Sequence, residues 1–168
     1  METKIENVLM NVHAITIDSE SNVPVLILKE VNGERSLPIW IGLLEATAIA
    51  SELENIKFAR PLTHDLTISM LKAAEVSITR ILINDLKDNT YYATITMDKS
   101  GNQFEIDSRP SDAIALALKS GVEIFVNEKV LKQVVKPKDS LQSISIADNN
   151  NLQDILENLD PTQFKYKI

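Results

Sequence analysis

The sequence predicts an α+β fold, a mixed and largely antiparallel sheet with helices packed on it in a single compact domain. Runs rich in β-branched residues recur along the chain and are joined by short turn-forming pairs, as strands in hairpins are. Stretches of strong helix formers, with apolar residues three and four apart, interrupt them. Hydrophobic residues make up 44% of the 168 positions, enough length and apolar content to bury a core.

Residues 8–17 (VLMNVHAITI) read as a first strand and 23–31 (VPVLILKEV) as a second. Val25 to Leu28 are apolar on both faces, which puts the second strand centrally. Asn32-Gly33 is a pair that tolerates positive φ at both positions of a type I′ turn. In a third strand, 35–41, Leu37, Ile39 and Ile41 alternate with Ser36, Pro38 and Trp40. Pro38 has no amide hydrogen to donate, so this strand belongs at an edge or a bulge. Gly42 ends it, and 43–57 is a helix with an apolar stripe through Leu43, Ala46, Ala50 and Leu53. After FARPLT a second helix runs to about Ala74, with Thr63 as its N-cap, Asp65 favourable to its dipole, and Leu66, Met70 and Ala73 on one face. Residues 76–86 and 90–98 form a hairpin, and Ser100-Gly101 turns into a strand at 103–107. Arg109-Pro110-Ser111-Asp112 opens a third helix that Gly121 closes as its C′ residue. A short strand at 123–126 and a helical turn, NEKVL, follow. The domain is thus expected over 1–135, with 136–168 a polar linker and a short amphipathic helix (152–159) that docks on the body or on a partner subunit.

The chain has no cysteine, which excludes disulfides, a thiolate nucleophile and Cys-ligated zinc. METKIENVLM has no signal-peptide character, and no stretch approaches the ~20 apolar residues of a membrane span. A cytoplasmic protein without a membrane partner is expected, and a homodimer, with Trp40 and the tail helix as anchors. The net charge of −7 argues against avid, non-specific binding to nucleic acid. A local basic site, or carboxylates bridged to phosphate by a metal ion, still works on an acidic body.

Several segments carry a family likeness. LPIWIGLLEATAIA (37–50), RPLTHDL (60–66), LKDNTYYATI (86–95), DSRPSDAIALAL (107–118), IFVNEKVL (124–131) and LENLDPTQFKYKI (156–168) resemble the blocks of the bifunctional nuclease (DNase/RNase) domain family, in the family's order. Glu123 stands where many members have a proline. The resemblance implies a compact α+β domain with a mixed sheet, and a nuclease acting on DNA or RNA.

Phosphodiester hydrolysis needs an activated water, charge neutralisation on the phosphate and a proton for the leaving oxygen. His64, Asp65 and Asp112 are the catalytic candidates. Arg60, Arg109 and Ser111 are the phosphate-binding candidates, with the helix start at 109–112 offering free N–H groups. Glu45, Asp65, Asp107 and Asp112 are candidate ligands of Mg²⁺ or Mn²⁺. The same residues have structural readings. First-turn acids suit helix dipoles, and arginines at helix entries pair with nearby carboxylates. RPLTHDL and RPSDAI echo each other as two such corners. A catalytic site requires the two corners to meet, and a non-catalytic module binding an anionic ligand or a protein partner is the alternative.

Overall fold

The computed structural model describes residues 6–134. Its strands are β1 (Asn7–Ile17), β2 (Pro24–Glu30), β3 (Ser36–Trp40), β4 (Ser77–Lys87), β5 (Thr90–Lys99), β6 (Asn102–Ser108) and β7 (Ile124–Asn127). The helices are α1 (Leu43–Leu53), α2 (Thr63–Ala73), α3 (Pro110–Ser120) and α4 (Glu128–Val134). The strands make one sheet in the order β3-β2-β1-β7-β4-β5-β6, in which β4–β7 is the parallel pair. The predicted mixed, largely antiparallel α+β fold is therefore observed. The linker and tail helix expected over 136–168 lie outside the described residues. Among the described residues no helix is long and apolar enough to cross a membrane.

Two antiparallel triplets, β1-β2-β3 and β4-β5-β6, are formed by neighbours in sequence, and β7 joins them. β3, with Pro38, is an edge as its sequence demands, and β2 lies between two partners. His13 is the extra residue of a bulge in β1, between the Val12–Leu28 and Ala14–Ile27 pairs, and it is exposed.

The type I′ turns are not all where expected. Asp88-Asn89 (φ 48° and 57°) closes β4–β5, and Ser100-Gly101 (φ 52° and 86°) closes β5–β6. Asn32 and Gly33 do not adopt positive φ. The amide of Glu30 instead donates to the carbonyl of Arg35 at 2.9 Å, enclosing a four-residue loop. Arg35 also fastens Glu30 and Glu128, each at 2.9 Å, which holds the loop against α4. Gly33 serves there by close approach, because a Cβ would collide with the Glu30 carboxylate.

α1 ends four residues earlier than its composition suggests. Asn55 turns left-handed (φ 55°) and Ile56 N–H bonds back to Ser51 O at 2.8 Å. Its buried face is Ala46, Ile49, Ala50 and Ser51, while Leu43 and Leu53 are exposed. α2 has Leu62, not Thr63, at its N-cap, and Asp65 supplies the missing cap by accepting Leu62 N–H at 2.9 Å. The predicted apolar face of α2 is also rotated: Leu66 and Met70 are exposed, and Ile68 and Leu71 meet the core. α3 is the central helix. Ala113, Ala115 and Ala117 let it approach the sheet and α1 closely, and Gly121 ends it at φ 67°, as expected.

The core lies between the helices and one face of the sheet, with Leu26, Leu28, Ile81, Ile83, Ile114 and Leu131 wholly buried. The sheet curls strongly. The Tyr91 hydroxyl on β5 donates to Pro38 O on the edge strand β3 at 3.1 Å, although four strands separate the two in sheet order. This curl brings the start of α3 beside the end of β3.

Candidate functional site

Three helix entries meet at that point, and each has a local cause. β3 stops at Trp40, and Gly42, with extended backbone (φ −71°, ψ 159°), launches α1. A Cβ on Gly42 would strike the Glu45 carboxylate, which folds back over the helix start. Arg109 is the N-cap of α3, also extended (φ −68°, ψ 145°), and Pro110 at the first helical position fixes the turn. His64 sits in the first turn of α2.

Arg109 organises the group. Its Nε donates to Asp112 Oδ2 at 2.7 Å and its Nη1 to Glu45 Oε1 at 2.8 Å. The other Asp112 oxygen meets His64 Nε2 at 3.1 Å. A carboxylate only accepts, so Nε2 carries the hydrogen of that bond. The side chains of His64 and Asp112 are 14% and 30% exposed, that of Arg109 64%. Arg109 Nη2 has no partner among the described residues, on a guanidinium already held at its other two nitrogens. Burial works against charge on Asp112, but Arg109 and His64 outweigh it and hold its carboxyl below the usual range. Asp112 and then Glu45 push Arg109 above its ordinary value, so the guanidinium stays charged.

In front of Arg109 lies a cavity of about 250 Å³. Trp40, Gly42 and Glu45, the segment Asn89 to Tyr91, and Arg109 and Ser111 all line it. Ser111 is 7% exposed, and its hydroxyl has no hydrogen-bond partner among the described residues. Asp112 and His64 do not reach the cavity wall, so they stand behind Arg109 and hold it. A larger hollow of about 340 Å³, near Asn11 and Glu123 at the other end of α3, is lined by no cation and offers a phosphate nothing.

A bifunctional nuclease domain matches the chain over residues 26–139, which takes in all of these groups. The chain belongs to the bifunctional nuclease domain family. It is 38% identical over 162 residues to an uncharacterized protein of Mycobacterium tuberculosis, covering 93% of this chain and 97% of the relative. Bifunctional nuclease 1 of Oryza sativa subsp. japonica is 26% identical over 135 residues, or 76% of this chain and 41% of the rice protein. Bifunctional nuclease 1 of Arabidopsis thaliana is 27% identical over 109 residues, covering 62% and 34%. The chain thus spans well under half of the plant proteins.

Within this bifunctional nuclease domain the two Arg-Pro corners do meet, through His64 and Asp112, but not every candidate joins them. Asp65 turns away to Lys119 Nζ at 2.6 Å, and Lys119 also holds Glu52 at 2.7 Å. Lys119 and then the Leu62 amide keep the Asp65 carboxyl below its ordinary range. Arg60 is exposed and has no partner among the described residues. Asp107 lies in β6 opposite Thr94, next to Ile106, whose partner Ile95 is in the core. Alternation along the strand therefore aims Asp107 at the opposite face of the sheet.

The expected metal ligands fare accordingly. Among the described residues no three His, Asp or Glu side chains stand together as an ion site would require. Both oxygens of Asp112 and one of Glu45 are committed to cationic or N–H partners. As arranged, the donor set fits a guanidinium, not a resident divalent ion. Sequence reasoning missed Gly42, Asn89 and Thr90 as parts of the wall. The Asp88-Asn89 pair, a strong turn former, was the available signal.

Proposed function

We propose that the chain is a nuclease that hydrolyses phosphodiester bonds at the Arg109 cavity. The observation that carries this reading is the guanidinium fixed on two nitrogens by Glu45 and Asp112 on the wall of the cavity, its third nitrogen without a partner among the described residues. A guanidinium held in this way meets a phosphate without first ordering its side chain. The first turn of α3 adds unpaired N–H groups, and the Ser111 hydroxyl adds a donor. Glu45 Oε2, free of Arg109, is placed to orient the attacking water. Asp112 and His64 serve as positioning residues. A divalent ion, Mg²⁺ or Mn²⁺, would supply charge neutralisation if it arrived bound to the substrate phosphate.

The test is cleavage of end-labelled DNA and RNA strands by pure protein, with and without EDTA. Arg109→Ala is expected to lower the rate by ~10²–10³, the usual loss when a preorganised donor to developing charge is removed. Glu45→Gln is expected to abolish most of what remains. Variants that cleave as fast as the parent would mean a contaminant or another site.

A second reading, a non-catalytic module for an anionic ligand, is favoured by one observation: the carboxylates beside Arg109 are already engaged by Arg109 and His64. It predicts saturable binding of phosphate-bearing ligands that Arg109→Ala abolishes, with no cleavage by the parent protein.

A further inference from the structure

The cavity wall has features that phosphate chemistry does not use. Trp40 is 53% exposed at the end of an edge strand, yet it is not loose. Its indole Nε1–H donates to Asp18 Oδ2 at 3.3 Å, and Asp18 is itself braced by the Ser21 hydroxyl at 2.6 Å. The β1–β2 turn thus fixes the edge of the indole while the ring borders the cavity. The Tyr91 ring, which also lines the cavity, is pinned by its hydroxyl on Pro38 O. Beside it Asn89, on the turn with φ 57°, has a side chain without a hydrogen-bond partner among the described residues. An aromatic plate, a free amide and a phosphate clamp therefore border one small cavity.

We infer that this cavity seats one unpaired nucleotide, with its base stacked on Trp40 near Asn89 and its phosphate on Arg109. This rests on the phosphate seat proposed above and names what that seat selects. A base inside a duplex is stacked on both sides and has no free face to lay on Trp40. An unpaired base offers its π-face, and stacking on an aromatic side chain tolerates any base. Electrostatics points the same way. A body of net charge −7 gains little from tracking a long phosphate backbone, so local stacking must supply affinity. The shared chemistry, an unpaired base carrying a phosphate, is found both in single strands and in free mononucleotides.

Trp40 is the one tryptophan of the chain, so its fluorescence reports on this plate alone. The experiment titrates the full chain with a short single strand, its duplex, the same strand with abasic residues, and adenosine 5′-monophosphate, each checked by gel or chromatography to be intact afterwards. Quenching by the single strand, and little by the duplex or the abasic strand, is the expected result. Quenching by the monophosphate as well assigns the seat to free nucleotides and strand ends alike. Trp40→Ala, followed by fluorescence anisotropy of labelled strands, is expected to weaken single-strand binding about 5- to 150-fold, the range that base–aromatic stacking spans. Abasic binding should not change, and Trp40→Phe should restore part of the loss. Equal affinity of the parent for normal and abasic strands, or Trp40→Ala binding both as the parent does, overturns the inference even if cleavage is intact. Loss of cleavage with quenching preserved removes the proposed hydrolysis and leaves the nucleotide seat standing.

Discussion

Lys119→Met tests the account of Asp65. The lysine ammonium holds Glu52 on α1 and Asp65 on α2 from its place on α3, at 2.7 and 2.6 Å, so one side chain ties three helices. Methionine keeps most of the aliphatic stem and removes the charge. Each charge-assisted hydrogen bond is worth about 1.5–3 kcal/mol when sheltered. Here the carboxylates are 35% and 36% exposed, so water takes over much of their solvation and screens the pairing. A total loss of about 2 kcal/mol is expected, or a Tm lower by roughly 4–8 °C for a chain of this size. The pH dependence has a definite sign. Lys119 depresses the folded-state pKa of Asp65, so that pairing stabilises the fold above the unfolded value near 3.8 and fades as pH falls through the lower folded value. Thermal melts followed by circular dichroism should show the full gap between parent and variant at neutral pH and a narrowing gap in acid. A gap below about 2 °C at neutral pH, or one that does not narrow on acidification, refutes the reasoning. So would loss of cleavage in Asp65→Asn without loss of stability, since Asp65 would then belong to the chemistry.

Asp85 is held down to about 2 by the ammonium groups of Lys87 and Lys129, and carboxyl NMR titration should find it there and find it raised in Lys87→Ala. An ordinary aspartate midpoint would mean that these surface pairs do not persist in solution. Gly121→Ala forces φ 67° on a residue with a Cβ, but that Cβ meets nothing within 4 Å, so only backbone strain is added. The cost should be about 1–2 kcal/mol, seen as a lower denaturation midpoint with an unchanged m-value. If one phosphate on Arg109 dominates single-strand binding, the plot of log affinity against log salt should have a slope of about −0.7. A slope several times steeper would reveal a basic track elsewhere.

Strand patterns were legible because the sheet buries one face: Leu37, Ile39 and Ile41 alternate cleanly, and Pro38 announces an edge. Helix faces were less so. In α2, Leu66 and Met70 are as apolar as Ile68 and Leu71, and packing against the rest of the fold decides which pair is half-buried. The Asn32-Gly33 turn misled because Arg35 can reach both Glu30 and Glu128, and an ion pair spanning 93 residues is invisible to local turn chemistry. For the site, the sequence marked Arg109, Asp112, His64 and Glu45 as polar groups at helix starts. It could not show that one guanidinium joins them, nor that Asp65, adjacent to His64, faces the other way to Lys119. Asp107 and Asp112 look like one cluster on paper, and the strand-to-helix corner between them parts them.

The place of β7 has a consequence for how the chain is made. Four residues near the end of the described region pair with β1 on one side, and three of them with β4 on the other. Each triplet of strands can zip up from neighbours as it leaves the ribosome, but no strand pairing joins the two until Ile124–Asn127 has been synthesised. Until then β1 and β4 each present a bare edge, the feature through which nascent chains capture one another. The short strand is the keystone of an arch whose halves stand open during synthesis, and a chain halted before Ile124 should be a substrate for chaperones or a seed for aggregation.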